Sequence, residues 1–236
     1  MAIMKLPPPL HRWNLTPRQA IRLQGRLAQR VRQTPLRGPV RFVAGGDGAF
    51  VDGGRAIVAA WVVWDVVDQC VVEERWARRP VRFPYVPGLL TFREAPALLA
   101  AARKLQRIPD VFLLDGQGRA HPRRIGLASH VGLCLGRPTI GCAKSRLCGE
   151  DCAPPAAAGS SAPLMLDGEE VGRVLRTQTG VRPVYVSVGH RVTLADAVRV
   201  TLRCCTTYRV PEPTRLADQL VGRLKREWTG RAGERA

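Results

Sequence analysis

Three carboxylates stand where an acidic side chain could do chemistry. Asp47 follows the apolar stretch Phe42-Val43-Ala44, Glu94 lies just ahead of Pro96 at a helix start, and Asp115 ends the unbroken apolar run Val111-Phe112-Leu113-Leu114. Each also has an ordinary structural use: an Asp at a strand end can serve a turn, and an acidic residue at a helix start is favoured by the helix dipole. What shifts the balance is the company they keep. Within ten residues of Asp115 come His121, Arg123 and Arg124, and a second apolar strand, Pro138-Thr139-Ile140-Gly141-Cys142, leads to Lys144 and Arg146. Hard divalent cations take oxygen ligands, and Mg²⁺ is commonly held by one or two carboxylates with waters and substrate phosphates. Acidic groups that share a metal, ringed by cations that hold a phosphate backbone, point to a metal-dependent nuclease or phosphoryl transferase.

Composition agrees. The 236 residues carry 37 Lys and Arg against 19 Asp and Glu, a net charge of +18, spread through a chain that is 45% hydrophobic. A field of that size attracts polyanions, with nucleic acid foremost, and the apolar content argues against a disordered basic tail. The seven cysteines include no C-x-x-C pair, and Cys148 and Cys152 have no second ligand pair nearby. Free thiols in a reducing compartment follow, and no zinc site is expected at that pair. The apolar run 56–64 is too short to span a bilayer, and the N-terminus lacks a signal core, so a cytoplasmic protein without membrane contact is expected.

The elements that must position these groups can be read from pattern. Residues 1–15 form an arm, loose up to Pro9. Thr16-Pro17 opens a helix to about Gln33 with a basic outer face. Strands are expected at 42–47, 56–67 and 70–77, the second apolar on both parities and therefore covered on both faces. The prolines and glycine of Phe83-Pro84-Tyr85-Val86-Pro87-Gly88 make a stiff protruding loop, and Pro96 in the first turn of the next helix sets Glu94 at its N-terminus. Residues 148–163 read as a Pro/Ala/Gly/Ser loop. A hairpin at 164–177, a strand at 183–187 ending in Gly189-His190, a helix from Thr193 with Asp196 as a cap, and a helix at 214–228 complete the chain. Three antiparallel strands followed by alternating helices and strands give an α/β fold, with helices on both faces of a mixed sheet.

The segments FPYVPGLLTFREAPALL (83–99), LLDGQGRAHPRRIGLASHVG (113–132), TIGCAKSRLCG (139–149), RPVYVSVGHRVTLADAV (182–198) and YRVPEPTRLADQL (208–220) closely resemble the endonuclease V family, the deoxyinosine 3′ endonucleases of the ribonuclease H-like fold. The resemblance runs from about Thr16 to Leu220. It implies one catalytic domain over 16–229 with a tail at 230–236. It implies Asp47, Glu94 and Asp115 as ligands of Mg²⁺ or Mn²⁺, His190 assisting at the metal through water, and Lys144 at the scissile phosphate. Pro84, Tyr85, Val86 and Pro87 match the wedge that enters the duplex, and Gly88, Leu90, Gly116, Gly126 and Leu147 match the pocket for the flipped hypoxanthine. His121, Arg123, Arg124 and Arg146 would contact phosphates. The implied activity is hydrolysis of the second phosphodiester bond 3′ to a deoxyinosine, by a monomer, with inosine-containing RNA as a further substrate class. Rival readings are a catalytically weak inosine-binding module and a flap- or mismatch-selective nuclease of the same fold.

The chain departs from the family pattern at three places. Gly46 and Gly48 flank Asp47, Gln117 stands where His or Asn is common, and Cys142 replaces an aliphatic residue. A strand glycine costs roughly 0.5–1 kcal/mol relative to Ala, so a looser Asp47 is expected.

Overall fold

The computed structural model describes residues 3–233, with side chains described through Trp228. A nine-stranded mixed sheet carries the molecule, in the order β3-β2-β1-β4-β5-β9-β8-β7-β6. Its strands are β1 (Phe42–Val51), β2 (Ala56–Asp65), β3 (Cys70–Pro80), β4 (Val111–Leu114), β5 (Thr139–Ala143), β6 (Glu150–Asp151), β7 (Ser161–Leu166), β8 (Glu169–Leu175) and β9 (Val184–His190). Five helices accompany them: α1 (Pro17–Ala28), α2 (Thr91–Ala102), α3 (Leu127–Leu135), α4 (Leu194–Arg203) and α5 (Glu212–Gly233). β1, β2 and β3 run antiparallel, and β4 and β5 add in parallel to β1. This is the ribonuclease H-like layout expected from the sequence.

Every residue of β2 is buried, as its apolar parities require. One face of the sheet packs on α2 and α3 through Trp61, Phe112, Leu98 and Leu135. The other packs on α4 around Val43, Leu113 and Val200, and on α5 around Val58, Ala217 and Val221. The outer strand β3 is largely exposed and carries Glu73, Glu74, Arg75, Arg78 and Arg79, charges that discourage pairing with another sheet.

Several expectations need correction. The helix opened by Thr16, with its reciprocal Thr16–Gln19 capping box, ends at Ala28 and not near Gln33. Beneath its basic face Gln24 is fully buried. Pro96 lies in the second turn of α2; the helix begins earlier, at Thr91, and tolerates the proline's missing N–H. The 148–163 loop contributes β6 and the start of β7. The N-terminal segment is not loose up to Pro9: Met4 is buried in the core and its N–H donates to Leu105 O at 2.8 Å. Of the expected tail, 230–233 continue α5 and 234–236 lie outside the described residues.

Gly46 overturns the idea of a loosened Asp47. A Cβ there would meet the Trp61 ring at 2.4 Å, so the glycine lets a fully buried indole lie across its neighbouring strand. Trp61 Nε1 donates to Leu98 O at 2.8 Å, tying β2 to α2. The next glycine toward the N-terminus, Gly45, faces the other way. A Cβ on it would lie 2.0 Å from the Pro213 carbonyl carbon, so the start of α5 rests directly on β1.

Candidate active site

Asp47 projects from β1, Asp115 follows the last residue of β4, and Glu94 stands in the first turn of α2. Parallel pairing of Gly46 with Leu114 brings the first two side by side, and Asp115 N–H donates to Gly46 O at 3.3 Å. Burial raises the pKa of Glu94 to about 8, with repulsion from Asp47 and Asp115 adding to it and Arg93 opposing. Asp47 rises to about 7, first through burial and then through Asp115 and Asp218, against the Gly48 N–H that donates to its Oδ1 at 2.8 Å. Carboxylates that perturb one another in this way share one electrostatic environment. Among the described residues their oxygens are not drawn to within 4.8 Å of one another, as three ligands around one ion would be. Lys144 supplies the counter-charge, its Nζ 2.5 Å from Asp115 Oδ2. Burial works against the ammonium, but the Asp115 hydrogen bond and the attraction of Asp115, Asp218 and Asp47 hold its pKa above the ordinary value.

Asp218 is the member that pattern reading missed. It sits on α5 beside the buried Ala217, within hydrogen-bonding reach of the Asp47 carboxyl. Nothing local marks it, since an exposed Asp on a charged helix is unremarkable; only the docking of α5 on Gly45 gives it a partner. An all-oxygen set of mutually repelling carboxylates suits a hard divalent cation such as Mg²⁺ or Mn²⁺.

His190 is not part of this group. It pairs with Thr139 at the opening end of β5, whereas Asp115 stands level with the closing end. The offset along β9, from Val186 to His190, is about 13 Å at the usual strand rise. Its Nδ1 accepts from Arg32 N–H at 3.2 Å, and burial, with Arg191, Arg32 and Arg30 nearby, lowers its pKa to about 4. His190 is a neutral core residue anchoring the segment after α1.

Beside the carboxylates a cleft of about 310 Å³ gathers all five residues expected in the base pocket, Gly88, Leu90, Gly116, Gly126 and Leu147. Tyr85, Val86 and Pro87 form its rim, and Tyr85 is 71% exposed with the Arg93 guanidinium 5.6 Å from its ring centre. Pro84, also exposed, completes the loop. Gly126 and Gly141 are glycines because the 116–118 turn presses on them: Cβ atoms would meet Gln117 O at 2.3 Å and Gly118 N at 2.4 Å.

Of the groups expected at phosphates, His121, Arg123 and Arg124 are hydrogen-bonded within the protein. Gly88, at a left-handed φ of 75°, offers its carbonyl to Gln24 Nε2 at 3.0 Å, to Arg123 at 2.8 Å and to His121 Nε2 at 3.1 Å. His121 is buried and held neutral, its pKa lowered to about 4 by burial and then by Arg123. Arg124 bonds Glu169 and Leu166 O, fixing the cleft to the β7–β8 hairpin. These three brace the pocket and its rim. Arg146 stands at the cleft mouth, paired with Asp151 at 2.6 Å yet nearly half exposed.

A profile of the endonuclease V family matches residues 25–219. The chain belongs to the endonuclease V family. The endonuclease V of Nostoc punctiforme is 49% identical over 212 residues, covering 89% of this chain and 96% of that protein. The crystal structure of endonuclease V from Streptomyces avermitilis superposes with a TM-score of 0.88 at 48% identity, covering 92% of this chain and 96% of that one. The endonuclease V of Ciona intestinalis, at 26% identity and a TM-score of 0.78 over 89% of this chain and 98% of that one, was solved with a 24mer DNA containing an inosine followed by a ribo-adenosine.

Proposed function

We propose that this chain is a divalent-metal-dependent endonuclease that recognises deoxyinosine in DNA, acts in repair, and hydrolyses the second phosphodiester bond 3′ to the lesion, leaving 3′-hydroxyl and 5′-phosphate ends. The observation that carries this reading is the adjacency of a carboxylate–lysine cluster and an apolar cleft whose rim is an exposed tyrosine. Family membership and the inosine-containing DNA held by the Ciona relative support it.

The residues divide the work by type. Tyr85, stiffened by Pro84 and Pro87, takes the place of the departing base in the stack; unstacking costs about a few kcal/mol per step. A mispaired inosine leaves the helix more easily than a Watson–Crick base. Leu90 and Leu147 offer the cleft apolar contacts, and the glycine backbone of Gly88, Gly116 and Gly126 approaches the flipped base closely enough to test its edge. At the phosphate, Lys144 exchanges its bond with Asp115 for one with a phosphate oxygen and balances the charge that develops there. Asp47, Glu94, Asp115 and Asp218 would hold the metal, which when bound activates water and stabilises negative charge on the phosphate. Asp47 and Glu94 must first give up the protons that their raised pKa values retain.

Nicking is measured on matched oligonucleotides with and without inosine, as DNA and as RNA, in Mg²⁺ or Mn²⁺. RNA is included because the DNA of the Ciona complex carries a ribo-adenosine after the inosine. The expected outcome is a single inosine-dependent nick, lost in Asp115→Ala while lesion binding persists. Equal cutting of substrates lacking inosine would make this a structure-selective nuclease. Binding without nicking in either metal would make it a recognition module.

A further inference from the structure

Where the N-terminal segment crosses α3, three side chains of a different chemistry meet. His130 and Cys134 are one helical turn apart and share a face of α3, and His11 reaches them from the N-terminal segment. One ring nitrogen from each histidine and the Cys134 sulfur lie within 4.8 Å of one another, the one such group of His, Cys, Asp and Glu among the described residues. Two imidazoles and a thiol are a borderline-soft donor set, suited to zinc and ill suited to the hard magnesium ion.

The hydrogen bonds prepare the site. His11 Nδ1 donates to Arg12 O at 2.9 Å, which leaves Nε2 as a bare lone pair. A backbone carbonyl on the far nitrogen is the usual contact that orients a metal-ligating histidine. His11 Nε2 meets His130 Nε2 at 2.7 Å, so a single proton is shared by two ring nitrogens, which need part only to about 3.3 Å to hold a tetrahedral ion. His130 is fully buried and its Nδ1 has no partner, so that nitrogen can take up the ring proton when Nε2 serves as the ligand. Both rings are held neutral, as ligands must be: burial lowers His11, and burial with His11 nearby lowers His130 to about 3. Trp13, stacked 5.4 Å from His130, and Phe92 close one side of the group. The other side opens on a cleft of about 230 Å³ lined by both His11 and Cys134, together with Trp13 and Arg103. That cleft is an entry path and leaves room for a water as fourth ligand.

We propose that His11, His130 and Cys134 form a zinc site that fastens the N-terminal segment to α3. Binding exchanges the Cys134 thiol proton for the ion and releases that proton to solvent. The proton between the two histidines moves to His130 Nδ1, and a thiolate with two neutral imidazoles then holds the metal. The clip joins residues far apart in sequence, so it should resist fraying of the segment over the aromatic cluster beneath it.

The test uses the full chain, stripped with chelator and titrated with Co²⁺ or Zn²⁺ in excess Mg²⁺, so that the carboxylates are already supplied with a cation. One equivalent of Co²⁺ should give a thiolate-to-metal charge-transfer band with tetrahedral ligand-field bands, displaced by Zn²⁺, and Zn²⁺ should raise the Tm. Cys134→Ser should abolish the band, and His11→Ala should weaken binding at least about ten-fold, as even the loss of an orienting contact does at metal sites. Cys148→Ser/Cys152→Ser should leave both unchanged. Absence of the band in the unaltered protein overturns the proposal, as does a band that survives Cys134→Ser or disappears with Cys148 and Cys152.

Discussion

Glu94 and Asp47 show what crowding carboxyl groups into a buried place costs a protein. Both are pushed up, first by burial and then by acidic neighbours (Asp47 and Asp115 for Glu94, Asp115 and Asp218 for Asp47), Glu94 to about 8 and Asp47 to about 7. A carboxyl whose folded pKa exceeds its unfolded value favours folding while protonated and loses that contribution as pH rises through the folded pKa. Stability of the metal-free protein should therefore fall between about pH 4 and 8, where the folded state holds protons that the unfolded chain has released. Glu94→Gln should remove part of this slope and raise the metal-free Tm at pH 8, each kcal/mol being worth about 2–4 °C in a chain of this length. Thermal melts against pH, with and without Mg²⁺, check it, and an unchanged slope would mean that Glu94 does not carry the charge strain. Asp218 belongs to the same group through Asp47. Asp218→Ala should lower nicking roughly 10–100-fold, the range seen when a contact that supports a metal site is lost. The Mg²⁺ concentration needed for half-maximal rate should rise, and a loss independent of Mg²⁺ would argue for a purely structural role.

At the scale of elements, the site depends on how loop 83–90 is held. The loop has no secondary structure, yet its last turn is pinned by three donors on the Gly88 carbonyl, drawn from α1 and from the 121–124 turn. Its tip is free to meet a duplex, and Tyr85 is the exposed ring at that tip. Aromatic–base stacking is worth about 1–3 kcal/mol. Tyr85→Ala should thus weaken binding to inosine-containing duplex roughly 10–100-fold at that stacking energy while changing binding to intact duplex much less. Fluorescence titrations on matched duplexes measure both, and an equal loss on the two would show that Tyr85 does not act as the wedge. The glycines of β1 work at the same scale. Gly46 admits Trp61 on one face and Gly45 admits the backbone of α5 on the other, so the strand bearing Asp47 is gripped from both sides.

Over the whole molecule, the charge of +18 surrounds a locally acidic centre. Nonspecific binding to DNA should be dominated by counterion release and fall steeply with salt, while the ratio between inosine-containing and intact duplex changes little because it reflects the cleft and wedge. Affinities for both duplexes across a salt series test this, and a preference that collapses with salt would place recognition in the charge and not in the cleft.

Pattern alone fixed a good deal. The doubly apolar β2, the strand ending at Asp115, the stiff loop carrying Tyr85 and the presence of three carboxyl groups at element ends are all local properties, set by residue type, period and turn chemistry, and the motif spacing was enough to mark the family resemblance. Strand register and helix docking are set by contacts between distant segments, and these decided the rest. They carried His190 to the far end of β9, brought Asp218 to Asp47 through the contact of α5 with Gly45, and turned His121, Arg123 and Arg124 inward as braces of the pocket. They also set His11 against His130 and Cys134, more than a hundred residues away in the sequence. A side chain's neighbours across the sheet depend on which strands pair and in what register, and no local pattern records that.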